Sequence, residues 1–166
     1  MSKRTSGQNA KEELPLSKAA EYLIEECRMI LPGIQALFGF QLIAVFNSTF
    51  DEKLTSFEQK LHLLAIVLVG VAIVIIMTPA AYHRQTGPED ITQQFIKLAT
   101  RLMLFSMVPL IVSICIELYL ISHLILHNTF ISLGITVGLL IVFLLLWFGL
   151  PHSETLKRIF SGQSSA

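Results

Sequence analysis

Glu117 is the one acid in the apolar run 102–126, with Ser113 four residues before it and Ser106 seven before that. A helix turning about 100° per residue keeps these three side chains within about 40° of one face. A polar stripe of that kind faces protein or water rather than lipid. Pro109 lies between them and frees a backbone carbonyl for a cation or water. Burial disfavours the charged form of a carboxyl, and an ionisable group at membrane depth is a candidate functional site by default. The chemistry this predicts is proton or cation binding at Glu117, with Ser106 and Ser113 lining the site. The rival reading is a Glu that joins helices by hydrogen bonds or snorkels to the outer surface.

Three further groupings carry possible chemistry. His123 and His127 are four residues apart, a spacing that can set two imidazoles on one helical face for a metal, and Glu58 and His62 repeat that spacing. Metal binding or external-pH sensing is one reading of these pairs; ordinary interfacial polarity is the other, and no metal is assigned. Glu26 and Arg28 precede one apolar run, Gln35 lies just inside it, Tyr82-His83-Arg84 close the next, and Arg101 opens the third. These converge at one membrane depth. They anchor helices to headgroups or, in the sharper reading, form an anion pocket or an ion vestibule opening toward Gln35. Gly134 and Gly138 have the small-xxx-small spacing of close helix packing, within the bundle or between subunits. No phosphate loop, nucleophile elbow or zinc-protease motif is present, so neither enzyme activity nor a cofactor is expected.

The elements that position these residues follow from composition. Of 166 residues 53% are hydrophobic and 14% charged, against about 25% charged in soluble domains, and mean hydropathy is +0.66. Twelve basic and twelve acidic residues balance, which argues against nucleic acid. Four runs, about 29–46, 63–82, 102–126 and 130–150, are long and apolar enough to cross a bilayer, and none alternates like a barrel strand. The fold expected is an all-α membrane protein, an up-down four-helix bundle. Ten Lys and Arg fall on the side of both termini against two (Lys53 and Lys60) on the other, so both ends are expected in the cytoplasm.

Local signals refine the bundle. Residues 16–31 carry an apolar stripe that predicts an amphipathic interfacial helix breaking or kinking at Pro32. Ser56 and Gln59 have capping-box spacing for the second span. Pro88 with Glu89 and Asp90 predicts the start of the third helix. Residues 1–14 and 161–166 are expected to be disordered, flanking a domain over 15–160. Asn47-Ser48-Thr49 matches a glycosylation sequon and is read as chance. Cys27 and Cys115 imply no disulfide framework.

The block Glu26-Cys27-Arg28-Met29-Ile30-Leu31-Pro32-Gly33-Ile34-Gln35-Ala36-Leu37-Phe38, together with Pro79-Ala80-Ala81-Tyr82-His83-Arg84, Ala99-Thr100-Arg101 and Trp147-Phe148-Gly149-Leu150-Pro151, resembles a bacterial domain-of-unknown-function family. Its members are small four-span membrane proteins, sometimes automatically labelled sodium:proton antiporters. The resemblance covers about residues 20–151 and implies a multi-pass protein of the bacterial inner membrane. It also shifts weight from Glu117 toward Glu26, Arg28, Gln35, Tyr82, His83, Arg84 and Arg101. Two functions are expected from all of this. One is proton- or cation-linked ion transport by a homo-oligomer, since a four-helix bundle has little interior for a pathway. The other is a non-transporting scaffold or accessory subunit that binds a membrane protein or anionic lipid.

Overall fold

The computed structural model describes residues 15–86 and 92–149. They form five α-helices: α1 (Leu16–Val45), α2 (Phe50–Lys53), α3 (Ser56–Thr86), α4 (Gln93–Leu126) and α5 (Thr129–Leu144), the last extended by a π-helical turn over Leu145–Gly149. Four of them are long and apolar enough to cross a membrane, and α2 is a single turn between α1 and α3. The chain is therefore an all-helical membrane protein. The arm 1–14, the tail 161–166 and the turn at 87–90 lie outside the described residues.

Helix ends are set by identifiable caps. The second span opens on Thr55, not Ser56. The Thr55 backbone N–H and hydroxyl both donate to Glu58 Oε2, at 2.8 and 2.7 Å, and the Glu58 N–H returns to Thr55 Oγ1 at 3.4 Å. This is a reciprocal capping box one residue earlier than the sequence spacing suggested. α4 begins at Gln93, where extended Thr92 accepts from the Phe95 N–H; the expected start at Pro88 lies outside the described residues. The α4–α5 connection is only His127 and Asn128. His127 adopts left-handed φ of 51°, and Asn128 Oδ1 accepts from the N–H groups of Phe130 and Ile131. His is among the residues that tolerate this conformation, so the chain reverses without a glycine. At the other reversal, Asn47 Oδ1 accepts from the N–H and hydroxyl of Thr49.

α1 is continuous through Pro32, so of the expected break or kink there the break does not occur. In hydrocarbon a broken helix leaves carbonyls with no water to satisfy them, so the backbone stays helical around the missing donor. The apolar stripe of 16–31 accordingly turns inward: Ala20 and Cys27 are buried, and Leu23 and Leu31 pack on the core. α1 buries Ala20, Cys27, Ile34 and Gln41, every seventh residue. α3 buries Glu58, His62, Ala65, Val69, Ala72 and Ile76, alternating steps of four and three. A 3.5-residue repeat is the seam of helices packed as in a left-handed coiled coil. α4 buries two opposite faces: Met103, Ser106 and Ser113 on one, Ile111, Cys115 and Ser122 on the other. It therefore packs between the α1–α3 pair and α5. α5 itself buries only Ser132.

Outward positions are overwhelmingly apolar, including Phe40, Phe105 and Phe130. Lipid removes the drive to hide such groups, so polar contacts and close packing hold the interior together. The bundle has a terminal end, where α1 starts and α3 finishes, and a hairpin end, where the short connections lie.

Candidate functional site

The seam residues at the hairpin end are polar. Gln41 of α1, His62 of α3, and Ser113 and Glu117 of α4 meet there, with Gln41, His62 and Ser113 all at least 95% buried. Their hydrogen bonds form one network. The Gln41 side-chain amide donates to Ser113 Oγ at 3.1 Å and to Glu117 Oε1 at 3.2 Å. The Ser113 hydroxyl donates to the Ala65 carbonyl of α3 at 2.9 Å. An alanine at 65 permits this, because a larger side chain on the seam would hold α4 away from that carbonyl. His62 Nδ1 lies 2.9 Å from Glu117 Oε1, and His62 Nε2 lies 3.0 Å from the Gln41 backbone carbonyl.

The two His62 contacts favour one arrangement of protons. A carbonyl oxygen only accepts, so Nε2 bears a hydrogen. Between Nδ1 and Oε1 one more proton satisfies both atoms, as imidazolium facing carboxylate or as neutral imidazole facing carboxylic acid. With no proton there, two lone pairs face each other and a carboxylate is left buried. With two, the pair carries an uncompensated positive charge. The geometry therefore suits one proton between Nδ1 and Oε1.

The centre is reachable. A pocket of about 230 Å³ opens at the hairpin end, walled by Ala44, Leu120 and Leu124 and rimmed by Asn47 and Lys53, with Glu117 and His62 at its floor. The Glu117 side chain is 17% exposed and that of His62 only 5%, so the carboxyl is the member that meets the pocket. Phe50 of α2 covers the imidazole, its ring centroid 5.3 Å away. Among the described residues, Gln41 Oε1 is a buried oxygen with no hydrogen-bond donor. Such an atom favours a donor or cation arriving beside it.

A second histidine–carboxylate pair joins the same two helices about one turn nearer the hairpin end. His123 Nδ1 of α4 lies 3.0 Å from Glu58 Oε1 of α3, Tyr119 stacks on the imidazole, and Thr129 Oγ1 lies 3.3 Å from His123 Nε2. Each helix thus supplies one acid and one histidine, and each acid takes the histidine of the other helix. The helical spacings of Glu58 with His62 and of His123 with His127 pair neither set. His127 is past the helix end and turns to the Ile125 carbonyl, so it shares no face with His123. Among the described residues no group of three or more His, Cys, Asp or Glu side chains is placed to hold a metal.

The other predicted residues are distributed differently. Ser106 is buried, yet its hydroxyl donates to Met103 of its own helix at 2.7 Å, leaving it outside the network. At the terminal end Arg28, His83 and Arg84 rim one groove between α1 and α3. Tyr82 stacks on Phe95, and His83 meets that ring edge-on. Glu26, Gln35 and Arg101 are exposed and do not line that groove. Gly134 and Gly138 have no atom within 4 Å of where a Cβ would stand. Among the described residues no other helix lies against them, and Ser132 is the residue that α5 buries. Sequence spacing missed Gln41 and His62 as partners of Glu117. The seven-residue repeat ending at Gln41 was the signal that would have turned it inward.

Searches of curated proteins and of solved structures find no match to this chain. A family model does match, over residues 11–151, a span that contains all four long helices and both histidine–carboxylate pairs. The chain belongs to the family of unknown function DUF6328.

Proposed function

We propose that the protein moves protons across the membrane, alone or linked to a cation, and that Glu117 with His62 is the site where the proton is bound and released. The observation that carries this reading is the one-proton geometry of a buried pair at the floor of an open pocket. A purely adhesive contact needs neither access nor a spare acceptor, and this centre has both. The pocket at the hairpin end delivers water or a cation to Glu117. Toward the terminal end an apolar layer of Cys27, Ile34, Val69, Ile76 and Met103 closes the seam. Glu117 to Met103 is about 21 Å along α4 at 1.5 Å per residue, so release to that side requires the helices to shift. The excess of basic residues at the terminal end supports a cytoplasmic location for it.

The test is flux in proteoliposomes carrying a pH-sensitive dye, under imposed Na⁺ and K⁺ gradients. Wild type is expected to change the internal pH, and Glu117→Gln to abolish the change while inserting and folding normally. Flux that survives the substitution removes Glu117 from the path. Silence from folded wild-type protein overturns transport and leaves the accessory-subunit reading.

A further inference from the structure

We propose that the groove between the terminal halves of α1 and α3 is a binding site for one anionic phospholipid of the surrounding bilayer. The groove has a volume of about 600 Å³, and Arg28, His83 and Arg84 stand at its rim. Its wall is apolar: Ile24 and Leu31 from α1 face Met77, Ala80 and Ala81 from α3. The alanines create the space, since they lie where longer side chains would otherwise meet Ile24 and Leu31. Among the described residues neither arginine forms an ion pair; the two ion pairs found there are the histidine–carboxylate pairs at the other end. Glu25 and Glu26 share a turn of α1 with Arg28 but do not line the groove.

Two features together specify the occupant. Guanidinium groups are forked donors that match phosphate oxygens in bidentate fashion, which calls for an anionic phosphate head. The apolar trough beside them calls for an alkyl chain. The helices carrying the groove present apolar side chains to a bilayer on their outer faces, Met29, Phe40 and Val74 among them, so the groove opens on lipid. A free phosphate would use the arginines and leave the trough unfilled. This inference is independent of the proton reading, because it uses none of the same residues.

Native mass spectrometry of the full-length protein, equilibrated in micelles with equal phosphatidylglycerol and phosphatidylcholine, tests it. Wild type is expected to retain phosphatidylglycerol preferentially. Each arginine near an anionic head is worth about fivefold, so Arg28→Gln with Arg84→Gln should cut that preference by about twenty-five-fold. Ala81→Leu, which fills the trough and keeps every charge, should lower retention of both lipids. Arg101→Gln, at the same end but outside the groove, should leave the preference unchanged. Equal retention of the two lipids by wild type overturns the proposal, and so does an Arg101→Gln loss as large as that of the double variant. Displacement of the lipid by excess inorganic phosphate would also overturn it, by reducing the site to an anion site without a chain.

Discussion

The two ends of this bundle dispose of polar side chains in opposite ways. At the hairpin end they are inside: Gln41, His62 and Ser113 are buried and bonded from helix to helix. At the terminal end the seam is apolar, and Arg28, Tyr82 and Arg84 stand exposed around it. Both arrangements suit a membrane, for different reasons. Charges at the rim reach water or headgroups and constrain packing little. Polar groups inside must find partners in the protein, so they fix the register of three helices against one another. Positional specificity therefore concentrates where the polarity is buried.

Substitutions should divide along the same line. The largest loss is expected from Glu117→Ala, which strands the His62 proton and removes one of the two acceptors of the Gln41 amide. Breaking a buried pair by removing one partner costs about 3–5 kcal/mol, readable as a lower unfolding midpoint in detergent or lipid, whereas Glu117→Gln should keep most of that stability and lose flux. Ala65→Leu comes next, at about 2 kcal/mol, by overpacking the seam and separating Ser113 from the Ala65 carbonyl. A double-mutant cycle on Glu58 and His123 should give a coupling of about 0.5–1 kcal/mol, because the imidazole is partly exposed and solvent screens the pair. Arg84→Gln should change stability by less than about 0.5 kcal/mol. Equal losses at Arg84 and Glu117 would erase the contrast between the ends.

Gly138→Ala sharpens the picture from outside the seam. With nothing near its missing Cβ, alanine should be neutral or stabilise α5 by up to about 1 kcal/mol through helix propensity. A clear loss of stability, seen only at protein concentrations where copies associate, would show that a second chain covers that face.

Much of this organisation was legible in the residues. Four long apolar runs, three of them without any charge, declare four spans because bilayer thickness sets helix length, and Glu117 stands out in the third because an acid is costly there. Its partners were not legible. Spacing along one helix pairs Glu58 with His62, while the structure pairs each with α4, and the register between helices is decided by side chains far apart in sequence. At Pro32 the helix does not break, because in hydrocarbon the backbone stays helical around the missing donor. The capping box shifted by one residue because Thr55 and Ser56 are both competent caps and Glu58 stands three residues after Thr55.

The central claim, that Glu117 and His62 hold a single proton between them, is tested most directly by solid-state ¹⁵N NMR of His62 in lipid bilayers. The account predicts a protonated Nε2 in wild type, bonded to the Gln41 carbonyl, with the Nδ1 signal reporting a proton shared with Glu117. Glu117→Gln should then change Nδ1 and leave Nε2 protonated. A wild-type His62 with a bare Nε2, its hydrogen on Nδ1 and no response to the Gln substitution, would contradict it.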